Sequence, residues 1–331
     1  MTTRLTSLVA LALAGAFLVG CGDDDVGPGP GVDMGVGTDL GPVTPVCPDD
    51  APAPANQMGA CCSRVSNATR LAAPELRLAA LRLTAPMGTL TSAVLRTVLN
   101  TSFDGERFNW LIQAMGAPTT GNGPVTIRTG YGERAADGTF AFTMGAAPAA
   151  GGDVNRWDPI TVTGTMTGDN VATPAYDGSG PLTIPVFDEV DPTLLVVELP
   201  VFGLELVSAP LTEGRSCIGS RGTSSYNTAA GGTLRAFIRV EDARTRMVTV
   251  GTAVNASLCA VIAGSLMDAA YCEMPQSAWA AKPNSRCGAT GCEANAAGAT
   301  DVCDPTMTGA TGCNAWELLG EFAAQGVDIT N

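Results

Sequence analysis

Sulfur and carboxylate carry the chemistry open to this chain, because it has eleven cysteines, 32 acidic residues and no histidine. Without histidine there is no Ser-His-Asp or Cys-His nucleophile, no His-ligated zinc and no haem on a proximal His. A Walker A loop is absent too, since the only lysine, Lys282, is followed by Pro283. Ten cysteines, at 47, 61, 62, 217, 259, 272, 287, 292, 303 and 313, form an even set, and Cys21 stands apart near the start. An even set in an exported chain reads as a disulfide framework. No Cys-x2-Cys repeat suggests a metal site. Three of the ten precede residue 63 and seven follow residue 216. If all pair, at least one bridge joins the two ends of the chain. Cys61 and Cys62 are adjacent and poorly placed to bond each other, so separate partners are expected. Cys287 and Cys292 are a plausible local pair.

The carboxylates are unevenly spread. Residues 157–214 hold nine acids and no base. Gathered on one sheet, they would make an acidic face able to take calcium or a cationic ligand. Glu198 and Glu205 flank Pro200 and could face each other across a hairpin. Trp110 and Trp157 could serve as sugar-stacking platforms. Trp110 alternates with Phe108 and Ile112, which marks it as core, so Trp157 is the candidate ligand contact. The overall charge of −14 repels nucleic acid and anionic lipid surfaces.

The start of the chain carries the most specific pattern. After Arg4 an apolar run extends from Leu5 to Val19 and ends in Leu18-Val19-Gly20-Cys21. The run fits a signal peptide and is short for a membrane span. Leu18, Val19, Gly20 and Cys21 resemble the lipobox of bacterial lipoprotein precursors. The resemblance implies a diacylglycerol on the Cys21 thiol, removal of residues 1–20 and acylation of the new amino group. Such acyl chains give stable membrane anchoring, and Cys21 is then an anchor and no disulfide partner. Gly22, where Asp would favour inner-membrane retention, leaves outer-membrane delivery open. From Gly22 to Ser63 there are seven acids and no base, among many Gly and Pro. This segment is expected to be a disordered tether, of which residues 22–46 would span roughly 25–30 Å. A second resemblance is partial. Glu189-Val-Asp191-Pro-Thr-Leu194 matches two of the three acids that one jelly-roll glycosidase family carries as Glu-x-Asp-x-x-Glu, with Leu194 in place of an essential acid.

The elements that must position these residues are mainly β. Eight short strands broken by Gly, Pro and Asp are expected between Phe108 and Val240, among them Ile160–Thr167, Leu182–Phe187 and Leu234–Val240. They predict a sandwich or jelly-roll-like antiparallel body. Residues 71–101 fit either period around Leu76–Leu83, with a short helix near 92–101. Two helices are expected in a Cys-rich end. One covers 254–272, capped by Asn255 or Ser257. The other starts at Asn314 with Glu317 three residues on, and Ala315, Leu318, Leu319, Phe322 and Ala323 form its apolar stripe. The expected organisation is therefore a signal peptide (1–20), a lipidated tether (21–60), a β body (61–250) and a helical Cys-rich module (251–331). The expected role is that of a lipid-anchored envelope protein, structural or binding, its partners the membrane and a glycan, cation or envelope protein. A carbohydrate- or calcium-binding module is the alternative, and a glycosidase-like hydrolase the third reading.

Overall fold

The computed structural model describes residues 71–330, apart from residues 87, 92–95, 97–98, 101, 104, 145–156, 179, 188–194, 213–214, 222–225, 229–230, 251–253, 266–267 and 290. The signal peptide, lipobox, Cys21, tether, Cys47, Cys61 and Cys62 lie outside the described residues, as do Glu189, Asp191 and Leu194. Of the short helix near 92–101, Arg96, Leu99 and Asn100 are described and are helical.

In chain order the strands are β1 (Glu75–Ala85), β2 (Trp110–Met115), β3 (Gly123–Arg134), β4 (Phe140–Phe142), β5 (Ile160–Thr167), β6 (Asn170–Ala172), β7 (Leu182–Phe187), β8 (Leu195–Thr212) and β9 (Cys217–Ile218). They continue as β10 (Ser220–Arg221), β11 (Tyr226–Asn227), β12 (Gly232–Arg239), β13 (Met247–Val250), β14 (Val254–Ser257), β15 (Ser285–Gly288), β16 (Gly291–Ala294), β17 (Ala315–Gly326) and β18 (Ile329–Thr330). Two helices of six residues, α1 (Val240–Thr245) and α2 (Leu258–Ala263), follow β12 and β14.

The pairing order is a meander that returns to its first strand. It runs β1-β2-β3-β5-β6-β8-β12-β17, every step antiparallel, and β17 then pairs with β1. Eight strands thus form a closed ring, which removes the sheet edges that would template further pairing. The narrowest step is β6, which meets β8 at only Asn170↔Pro210 and Val171↔Ala209. The Thr173 and Tyr176 amides extend that seam by donating to the Leu206 and Leu204 carbonyls.

Alternation sets what faces inward. On β12, Leu234, Ala236 and Ile238 join the apolar core, while Arg235 and Arg239 point away. On β17, Trp316, Leu318, Phe322 and Ala324 turn inward. On β5 the threonines at 161, 163, 165 and 167 are exposed and Met166 is fully buried. Two strands of the ring approach closely where Phe322 lies over Gly232. A Cβ added to Gly232 would sit 2.4 Å from the Phe322 ring, so only glycine leaves the ring that space.

The mainly β expectation holds, and the Cys-rich end requires correction. Residues 315–326, expected as a helix from Asn314, are the strand β17, hydrogen-bonded to β12 on one side and β1 on the other. Glu317 and Asn314 make no capping box. The Asn314 amide instead bridges the Cys287 backbone N–H and carbonyl. The helix expected over 254–272 shrinks to α2, because Gly264 adopts a left-handed conformation (φ 117°) that ends it. Ser257 does cap α2, its hydroxyl accepting from the Ala260 N–H at 3.1 Å. Val254–Ser257 pair as a strand with β13, and Ala269–Glu273 form a 3-10 turn. Leu195–Thr212 form one 18-residue strand, β8, that runs through Pro200.

A small second cluster covers the outside of β2. Leu111, Phe140, Phe142, Val327 and Ile329 pack there, and β18 lies parallel to β4. The buried Glu75 carboxylate ties this end of the chain down. It accepts from the Ile329 amide at 2.8 Å and from Gln113 at 3.0 Å. Nearby, the buried Arg77 guanidinium donates to the Phe103 carbonyl and to Asn109 Oδ1.

Candidate functional site

Three carboxylates of the acidic stretch, those of Asp169, Glu198 and Glu205, are each brought to an arginine. Antiparallel pairing sets β12 beside β8, so Glu205 lies directly across from Arg235 and bonds it at 2.7 Å. Glu198 meets Arg246 at 3.2 Å, and Asp169 meets the buried Arg215 at 2.9 Å. Each of these arginines comes from 215–246, just beyond the base-free window. Glu198 and Glu205 stand on the same strand, not across a hairpin. Among the described residues, no group of three or more His, Cys, Asp or Glu gathers to hold a metal ion.

The same pairing continues around the outer wall. Glu321 on β17 faces Arg82 on β1 across the register and bonds it at 2.9 Å. Arg239 reaches Asp242 and lies 4.0 Å above the Phe202 ring. Burial pushes the Glu317 carboxyl upward, against the opposing pull of Arg235 and an Asn284 hydrogen bond. The wall of β8, β12, β17 and β1 is therefore laced with ion pairs outside and apolar within. A lipid-facing barrel has the reverse arrangement.

Trp157 is not a surface platform. It is 2 % exposed and sits edge-on to Tyr131, ring centroids 5.6 Å apart. Tyr131 stacks on Phe108, which contacts Phe103 and Trp110. The cause is a close approach just after it in the chain. Pro159 presses on Gly130, where an added Cβ would meet Pro159 Cα at 2.8 Å, and this draws residue 157 under β3. Trp110 is buried in the same aromatic cluster. Burial, reinforced by Glu133, raises the Tyr131 hydroxyl to about 12.

One groove opens at the end of β1. Its volume is about 280 Å³, with Leu81, Leu83, Leu90 and Leu99 beneath and Arg82 and Arg96 at the rim. This lies below the usual range of small-molecule sites, roughly 300–1,000 Å³, and Arg82 is already engaged by Glu321. The sequence pattern contained the leucines of β1 but no signal for the groove.

The sulfur chemistry is the most fully assembled feature. Cys259 bonds Cys272, Cys287 bonds Cys292, and Cys303 bonds Cys313. Cys217 is also disulfide-bonded. The three bonds are local, each closing a segment that lies outside the eight ring strands. The first ties α2 to the following 3-10 turn, and the second closes the β15–β16 hairpin. The third pins the loop before β17, where Asn295 accepts from the Val302 and Cys303 amides and donates to the Cys303 carbonyl. Comparison with protein-family models, with curated proteins and with solved structures gives no match.

Proposed function

We propose that this chain is an exported, lipid-anchored cell-envelope protein with a structural or binding role. The observation that carries this reading is that all seven described cysteines are in disulfide bonds. That state belongs to an oxidising space outside the cytoplasm. Cys21, behind Leu18-Val19-Gly20, supplies the anchor, and the acidic Gly/Pro segment after it holds the body off the lipid surface. Gly22, standing where an aspartate would retain the protein in the inner membrane, leaves the route to the outer membrane open. The body is sandwich-like, in that opposite walls of the closed ring pack through one apolar layer.

A non-catalytic role is supported by the fate of the carboxylates. Glycoside hydrolysis needs two carboxyls facing one cleft, whereas Glu198, Glu205 and Asp169 are each neutralised by a separate arginine. The test is metabolic labelling with an alkynyl palmitate in a Gram-negative host. The expected result is label in the full-length protein, sedimentation with outer membranes, and loss of both in Cys21→Ser. A soluble, unlabelled wild-type protein defeats the proposal.

A further inference from the structure

We infer that Cys217 is bonded to one cysteine of the Cys61-Cys62 pair, and that Cys47 bonds the other. Cys217 is disulfide-bonded, and the six other described cysteines pair among themselves. Its partner therefore comes from the only four remaining, Cys21, Cys47, Cys61 and Cys62. Cys21 is excluded on the reading above, because its sulfur carries lipid, and in this one respect the inference rests on that reading. A Cys61–Cys62 bond would close an eight-membered ring across a peptide that strongly prefers to stay planar and trans. If the neighbours do not bond each other, parity sends one to Cys217 and the other to Cys47.

A second observation is independent of the count. The Arg215 guanidinium, two residues before Cys217, donates to the Leu71 carbonyl and is held there by Asp169. The chain at residue 71 thus runs beside the turn that presents Cys217. Cys61 and Cys62 lie about ten residues upstream, and ten residues reach at most ~35 Å. Cys217 itself is fully buried on β9, between β8 and β17. The bond would fasten the lipid-bearing end of the chain to the ring. A single backbone cut anywhere in residues 63–215 would then leave the body attached to its anchor until the disulfide was reduced.

Peptide mapping of the intact, non-reduced, alkylated protein tests this. Trypsin releases residues 216–221, and no Lys or Arg lies between Arg4 and Arg64 to divide the N-terminal peptide. A further cut before Asp39, Asp49 and Asp50 separates Cys21, Cys47 and the Cys61-Cys62 pair. The expected product is a three-peptide species of residues 39–48, 50–64 and 216–221, which falls apart on reduction. Linkage of 216–221 to 39–48 alone, to any peptide beyond residue 221, or recovery of an alkylated Cys217 overturns the inference while leaving the lipid anchor standing. Linkage of 216–221 to the peptide containing Cys21 overturns both.

Discussion

Removing disulfides one at a time should cost stability in the order of the loops they close. Cys259–Cys272 spans 13 residues and Cys287–Cys292 spans 5. Loop-closure entropy of the unfolded chain makes these bonds worth about 3 and about 2 kcal/mol. Burial separates them further. Cys259 and Cys272 are 0 % and 3 % exposed, whereas Cys292 is only half-buried on a hairpin. Replacing the two deeply buried sulfurs adds about 1 kcal/mol or somewhat more through lost packing. Cys259→Ala with Cys272→Ala should therefore lose about 4–5 kcal/mol, and Cys287→Ala with Cys292→Ala about 2 kcal/mol. For a body of this size these correspond to melting shifts of roughly 9–18 °C and 4–8 °C. Calorimetry of both double variants beside the wild type, without reductant, measures them. A hairpin variant that melts as low as the α2 variant, or lower, would refute the argument that loop length and burial set the value of each bond.

Three further outcomes follow from the packing and the charges. Gly232→Val places a branched side chain where the Phe322 ring lies and should destabilise the ring by about 1–3 kcal/mol, read by urea denaturation. Glu75→Ala strips the Ile329 amide and the Gln113 side chain of their acceptor; amide exchange at Ile329 should accelerate at least tenfold while the amides of β12 keep their protection. The Tyr131 hydroxyl is raised to about 12 by burial, so the folded state favours its neutral form. That contribution is complete below about pH 10 and is lost as pH rises from 10 to 12, amounting to at most about 2.7 kcal/mol. Denaturant midpoints at pH 9 and pH 11 should fall further for the wild type than for Tyr131→Phe, and equal falls would contradict the assignment.

Period-2 alternation was the readable part of the fold. Ile160–Thr167 puts threonine outward at every second place, and Leu234, Ala236 and Ile238 alternate with Arg235, Phe237 and Arg239, so their strands could be drawn from sequence. Ala315–Gly326 deceives because Ala, Leu, Glu and Gln favour helix, and its apolar residues recur at three and four. Its outward positions mix Ala315, Leu319 and Ala323 with Glu317 and Glu321, which blurs its alternation. Tertiary pairing with β1 and β12 overrides the local preference. The candidate site was less readable still. The acids at 169, 198 and 205 stood in a base-free window, but Arg235 answers from the neighbouring strand and Arg215 and Arg246 from the connections beyond it, and a linear charge count has no access to such neighbours. Trp157 has no alternating apolar neighbours such as mark Trp110 as core, and its burial comes from packing on Tyr131, which no local pattern shows.

The placement of β17 has a consequence for biogenesis. The residues that seal the ring between the first strand and β12 are numbered 315–326, after those of the other seven ring strands. A nascent polypeptide delivered amino terminus first therefore holds seven strands that cannot shut until β17 arrives. During that interval β1 and β12 present unpaired backbone and an open apolar interior, the condition in which escorting chaperones matter most. A product cut short before residue 315 would lack the closing stave, and would meet the quality-control proteases as an open sheet.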